Sequence, residues 1–469
     1  MSTETKSLKA SKIACWLALA CLVVPMFGSY FSDDMFSTVS QIFKNPEMLQ
    51  LGWNSQQFGF YAGGYSFLCV WGGLIICGIL LDKFGVRLIG SVFVGMMVVG
   101  AAIVTAAISA PGLSAGTSLT IAYIGCMLFG LGSEIAGVAV TRSIAKWFKG
   151  KNVALAMGLQ LAIARIGTGL AMLLSPVLVL KNHMEGTMYT LSETNRPAII
   201  GLSLLFIGAI LWAVFVAMDA KYDRQEGIVT QRGEVKEEDK FKFSDILKVL
   251  SNPRFIMIAL LCVFFYCCVI SFKKFGTSII IPRFGLDDST ASVMISMIAF
   301  APVLFTPLFG ALVDKVGKAT TWMITGAVLV FCAHMLIGFA PGDVPFYGYL
   351  SIVLLGIGYS LVPSAMWPTV PKIIPEKNLG TAYSLIYWIQ NMGMLLVPIF
   401  VGRIMKNYAD KKAGVDEATA DILDKAAAVH SEFIFVGLGI VAITVAVLLF
   451  FNSKKHPELK IDRPSKEVA

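Results

Sequence analysis

The chain has 469 residues, 56% of them hydrophobic and 14% charged, and its mean hydropathy of +0.74 lies well outside the soluble range. Apolar residues come in runs of about 20 or more, the length that crosses a hydrocarbon core, which nearly excludes a water-soluble enzyme. The net charge of +8 does not indicate a nucleic-acid partner either, because the basic residues stand in short loops and not on one face with interleaved aromatics.

In chain order, the polar and basic segment 1–12 leads into an apolar run from Ile13 through Val23, Val24 and Met26 to Tyr30. That run exceeds a signal-peptide core and lacks a small-residue cleavage site, so it reads as a retained first span, near 13–32. Further spans are expected near 56–80, 88–108, 118–146, 152–180 and 198–219, then 253–281, 289–313, 319–340, 345–371, 379–405 and 431–452. Gly63, Gly64, Pro302, Pro307, Pro363 and Pro368 would oppose soluble helices but are ordinary where neighbouring membrane helices re-satisfy the backbone.

The longest polar interruption, with Arg224, Arg232, Lys236 and Lys240, divides the spans into two groups of six. The expected organisation is an all-α membrane protein: a six-helix bundle over 1–220, a linker over 221–248, a second six-helix bundle over 249–453 and a tail over 454–469. Lys6, Lys9, Lys12, Lys83, Arg87, Arg142, Lys146, Lys149, Lys151, Lys315, Lys318, Lys372 and Lys377 share one side with the linker and tail. The other side has Asp33, Asp34, Asp287 and Asp288, an uncharged stretch over 109–118 and a balanced one over 406–425. The positive-inside rule therefore makes both termini cytoplasmic. The nine cysteines all fall in apolar runs without metal-site spacing, so packed reduced thiols are expected, with no metal and no cofactor.

The halves repeat. Gly78-Ile-Leu-Leu-Asp82-Lys83-Phe-Gly85 is echoed by Gly310-Ala-Leu-Val-Asp314-Lys315-Val-Gly317, each between the second and third span of its half, and Met172-Leu-Leu-Ser-Pro176 by Met394-Leu-Leu-Val-Pro398 in the fifth spans. With Arg87, the first copy resembles the signature loop of the major facilitator superfamily, although Val86 stands where a first arginine is often found. That resemblance implies a fold of 12 transmembrane helices in two pseudo-symmetric bundles, with Gly78, Asp82, Lys83, Gly85, Arg87, Asp314 and Lys315 gating the cytoplasmic side. The alternative is a capped turn without a gating role.

Charges inside spans are costly in lipid and mark function or pairing. Glu134 in span four and Arg165 in span five reach about the same depth, because consecutive helices run antiparallel. They either pair and pin the two helices or form two poles of a cavity, Glu134 for an ammonium and Arg165 for a carboxylate, together fitting a zwitterion. Tyr359, Trp367, Tyr383, Trp388, Gln390 and Asn391, with Tyr61 and Tyr65 of span two, are candidate cavity walls, though membrane aromatics more often pack or sit at interfaces. Lys273 and Lys274 either snorkel to the outer interface or supply a second anion contact. His334 has no acidic neighbour at helical spacing and is expected to pack and not to relay protons.

The blocks Gly132-Ser-Glu134, Trp147-Phe-Lys-Gly-Lys151 and Gly158-Leu-Gln-Leu-Ala-Ile-Ala-Arg165-Ile-Gly167 resemble the dipeptide-transporting branch of that superfamily. So do Gly358-Tyr-Ser-Leu, Met366-Trp367-Pro368, Leu379-Gly-Thr-Ala-Tyr383 and Ile389-Gln390-Asn391-Met-Gly393. The resemblance implies carriage of dipeptides, with Glu134 and Arg165 on the peptide termini and Trp367 on a cavity aromatic. Animal members of the branch are lysosomal uniporters with an accessory subunit. Here a monomeric uniporter is expected, placed in the cytoplasmic membrane because the N-terminal tail shows no acidic dileucine sorting signal and its composition suits a bacterial cytoplasmic membrane. The alternative is an organic-anion or dicarboxylate carrier using Arg165 with Lys273 or Lys274. An enzyme is not expected, as no nucleophile, base and orienting group share one depth.

Overall fold

A backbone in hydrocarbon must satisfy its own hydrogen bonds, and the apolar runs of this chain do so as helices. The computed structural model describes residues 11–43, 49, 51–148, 153–181, 183–184, 187–225, 243–375 and 378–464. Among these, 12 helices are long and apolar enough to cross a bilayer. The first half comprises α1 (Lys12–Asp34), α2 (Ser55–Leu81), α3 (Lys83–Ser109), α4 (Ala115–Trp147), α5 (Leu155–Leu180) and α6 (Leu191–Gln225). The second comprises α7 (Pro253–Phe284), α8 (Asp288–Val316), α9 (Ala319–Phe339), α10 (Pro345–Ile373), α11 (Leu379–Lys411) and α12 (Glu417–Lys455). Residues 226–242 of the linker, with Arg232, Lys236 and Lys240, lie outside the described residues, as do Lys6, Lys9, Lys149, Lys151 and Lys377. We call the side carrying Lys12, Gln225, Pro253 and Lys455 the terminal face.

Local chemistry sets the starts. Ser11 caps α1 through the Ala14 amide at 3.3 Å, and Asn54 and Gln57 form a reciprocal capping box at the start of α2. Asn252 precedes Pro253 and accepts from the Arg254 amide, and Asp287 accepts from the Thr290 amide at the start of α8. The repeated loops turn alike: Gly85 and Gly317, equivalent in the repeat, have φ of +81° and +70°, a left-handed conformation that favours glycine.

Two helices run farther than their apolar runs. The expected ends at 405 and 431 move to Lys411 and Glu417, so α11 and α12 project from the face opposite the termini. Residues there are good helix formers with side-chain ties, Lys406 to Asp410 at 2.5 Å and Lys425 to Asp421 at 3.0 Å, so the helix continues without lipid.

The halves meet along α2 with α11 and α5 with α8. Small residues make the first contact close: a Cβ at Gly59 would lie 2.4 Å from the Pro398 carbonyl oxygen, and one at Gly63 2.6 Å from that of Leu395. On the outside, Phe206, Ile210, Leu304, Leu308, Phe400 and Phe451 are exposed, a belt that only lipid would cover.

Candidate functional site

Glu134 is placed by glycines. A Cβ at Gly130 would lie 2.0 Å from the Tyr65 carbonyl oxygen, so α4 and α2 touch through backbone just below the carboxylate. That contact puts the Tyr65 hydroxyl 3.1 Å from Ser133 Oγ and 3.3 Å from Glu134 Oε1. Ser133 Oγ in turn lies 2.5 Å from Ser29 Oγ on α1. A hydroxyl network from α1, α2 and α4 thus orients one carboxylate, which remains half-buried.

Arg165 sits on α5, whose approach to α1 is opened by Gly167: a Cβ there would meet the Phe27 carbonyl oxygen at 2.6 Å. Its guanidinium reaches across to the second half and lies over the Tyr359 ring of α10, 4.9 Å from the centroid. Tyr359 packs edge-on against Tyr266 of α7, and the Tyr266 hydroxyl accepts from Trp367 Nε1 at 3.1 Å. Trp367, at the tight turn Trp367–Thr369 within α10, stacks on Tyr387 and tilts against Tyr383 of α11. Tyr30 of α1 is within electrostatic reach of both Glu134 and Arg165, and Tyr387 within reach of Glu134. Tyr30 thus links Glu134 and Arg165 as one candidate site, and among the described residues they contact hydroxyl and aromatic partners and not each other.

The other expected wall residues divide. Tyr65, Tyr359 and Trp367 are at the site, together with Tyr30, Tyr266 and Tyr387, which the sequence reading passed over. Tyr61 is not: it is buried among Phe36, Trp53 and Phe58 near the face opposite the termini. Gln390 accepts from the Cys262 thiol, and Asn391 donates to the Tyr387 carbonyl, so both serve packing of α11 within its half. Trp388 instead donates to the Val70 carbonyl at 2.7 Å, in a π-helical turn of α2, Cys69–Gly73.

Lys273 neither snorkels nor faces the site. It is buried, with Nζ 2.9 Å from Asp34 Oδ2 of the first half. Lys274 Nζ donates to Asp33 Oδ1 at 3.0 Å and lies 3.1 Å from Asp34 Oδ1. These four charges join α1 to α7 opposite the terminal face, near the bonds from Gln41 to Asp288 and between Ser40 and Ser278. A low-dielectric setting makes charges cheap to keep only when paired, which explains why two aspartates that ended one apolar run meet two lysines inside another. His334 is packed, as expected, but it has an acidic partner from a different helix: Nδ1 lies 2.7 Å from Glu432 Oε2 on α12, both side chains fully buried.

The profile of the Major Facilitator Superfamily matches residues 22–398 and 274–468. The chain belongs to the major facilitator superfamily. Among relatives it is similar to the lysosomal dipeptide transporter MFSD1 of Mus musculus, 30% identical over 400 residues, covering 83% of this chain and 79% of that protein. The Homo sapiens protein of the same name is 29% identical over 389 residues, covering 81% and 77%. Among solved structures, a bacterial homologue of the human lysosomal transporter Spinster, in an inward-facing and occupied conformation, aligns with a TM-score of 0.66 at 15% identity. The alignment covers 94% of this chain and 97% of that one, a likeness of fold.

The superfamily loop motif is built into a charge network of the first half. Arg87 Nη2 lies 2.9 Å from Asp223 Oδ2, and Lys146 Nζ lies 2.8 Å from Asp219 Oδ1 and 2.7 Å from Asp223 Oδ1. Asp219 also accepts from Trp147 Nε1 at 2.8 Å. Lys83 is exposed over the Phe84 ring, Gly78 lies near the terminal-face end of α2, and Asp314 and Lys315 lie in the last turn of α8; the side chain of Asp82 is outside the described residues. In the second copy, the start of α9 is capped by Asp462, whose Oδ1 accepts from the Thr320 amide at 2.8 Å and whose Oδ2 accepts from Ser453. A Cβ at Gly317 would lie 2.4 Å from the Asp462 carbonyl oxygen, so that turn is also shaped by the tail.

Proposed function

We propose that this superfamily transporter carries dipeptides by alternating access, with Glu134 receiving the α-ammonium and Arg165 the carboxylate. The observation that supports the reading is that the two opposite charges are each held by neutral partners, Glu134 by the Tyr65 hydroxyl and Arg165 by the Tyr359 ring, so neither is consumed by the other. A carboxylate held by hydroxyls and a guanidinium resting on a ring can turn to a zwitterion at small cost. Trp367, Tyr359, Tyr266 and Tyr387 gather beside Arg165 with broad faces and few hydrogen-bonding demands, which suits variable side chains. The likeness to MFSD1, named a lysosomal dipeptide transporter, supports the same substrate class.

In this reading the terminal face is cytoplasmic, in line with its lysines and arginines, and the protein is a monomer of the cytoplasmic membrane. The Asp33, Asp34, Lys273 and Lys274 cluster ties α1 to α7 and serves as the outer gate. Transport is uniport: exchange of substrate alone drives the cycle. Radiolabelled dipeptide exchange into proteoliposomes tests the assignment, with saturable uptake by a subset of a broad dipeptide panel expected. Replacing Glu134 by Gln should abolish dipeptide uptake and binding-induced thermal stabilisation. If instead E134Q keeps full binding, or only dicarboxylates stabilise the protein, an organic-anion carrier using Arg165 takes the place of this reading.

A further inference from the structure

The widened turn Cys267–Ser271 in α7 immediately precedes the two gate lysines. A π-helical turn accommodates one extra residue, so its return to ordinary α-helix would rotate everything downstream by about 100°. Lys273 and Lys274 meet Asp34 and Asp33 with that turn in place. His334 of α9 holds it: Nε2 lies 3.1 Å from the Cys268 carbonyl oxygen, inside the widened turn. The His334 ring stacks on Phe435 at 5.1 Å and meets the edge of Phe272 at 5.3 Å, so it has little room to turn.

Proton count follows from the partners. A carbonyl only accepts, so Nε2 carries a hydrogen; Nδ1 lies 2.7 Å from a carboxyl oxygen, a distance that requires one proton between them. Whether drawn as imidazolium with carboxylate or as imidazole with carboxylic acid, the pair is net neutral, the state that complete burial favours. The other carboxyl oxygen, Glu432 Oε1, is buried without a hydrogen-bond partner among the described residues.

We infer that His334 and Glu432 are positioning residues of the outer gate: they trap one proton and, through the Cys268 carbonyl, keep α7 in the register that aims Lys273 and Lys274. The pair acts at a distance from the substrate site and independently of which substrate is carried. It is a fixed brace and not a proton carrier.

The test compares E432Q, which offers Nδ1 an amide hydrogen, with E432L, which offers none. Hydrogen–deuterium exchange of the full-length protein in nanodiscs reads segments 266–276 and 30–36, alongside substrate exchange in proteoliposomes. E432Q should match the parent in both within about twofold, while E432L should raise exchange in both gate segments on the order of tenfold. In E432L the maximal transport rate should change with KM near the parent value, because the substrate contacts are untouched. Should E432L not fold, His334→Asn, which drops the Cys268 contact, provides the same reading of the two segments. Parent-like exchange in a folded E432L or His334→Asn would overturn the brace. So would a folded E432Q that loses transport while its gate segments stay protected, since that outcome assigns the pair a moving proton.

Discussion

At the scale of single residues, the site depends on what its charges rest upon. Arg165 lies over a ring and presents its remaining donors as a planar fork; lysine keeps the charge and loses the fork. Arg165→Lys should therefore forfeit one charged hydrogen bond to a carboxylate, about 1.5–3 kcal/mol, and weaken dipeptide binding roughly 10- to 100-fold. Thermal-shift titration measures this directly, and unchanged affinity would remove Arg165 from the substrate contacts. Glu134 and Arg165 stand out in the sequence as candidates because an ionised group in an apolar run must have a reason to be there. Tyr30, Tyr266 and Tyr387 do not, since a tyrosine costs little in a membrane helix and its partners come from other helices. Lys273 was misplaced, and the Glu432 partner of the packed His334 was missed, for the same cause: Asp34 and Glu432 are remote in the chain, and no periodicity within one helix points to them.

At the scale of elements, the spans were readable because the bilayer imposes a length and apolar runs report it. The projecting ends of α11 and α12 were missed because they are held by helix propensity and ion pairs in place of lipid. Contacts between elements carry the cycle. With a Cβ at Gly59 only 2.4 Å from a backbone oxygen of α11, Gly59→Val cannot be accommodated by shifting a flexible side chain. The two halves should still fold, but the outer face should fail to close, lowering substrate exchange at least about tenfold with a loss of about 1–3 kcal/mol in thermal stability. Exchange equal to the parent would mean that α2 and α11 need not approach so closely.

At the scale of the whole molecule, the face opposite the termini is held by charges that lie far apart in the chain. Lys273→Ala leaves Asp34 and Asp33 sharing the single cation Lys274, two buried carboxylates on one ammonium, which should destabilise the closed state and shift the population toward the outward-open one. The exchanged pair, Asp34→Lys with Lys273→Asp, should recover much of the lost transport and melting temperature; no recovery would mean that the ion pair is incidental to closure. Elsewhere the chain fastens itself. Asp462 holds the first turn of α9 and a serine of α12, and Lys372 of α10 donates to the Ile461 carbonyl at 3.0 Å. A shortened protein ending ahead of residue 460 would thus lose a strap across three helices of the second half. Its melting temperature should drop even though every lipid-facing segment is intact, and a reporter domain is better fused behind this strap than substituted for it.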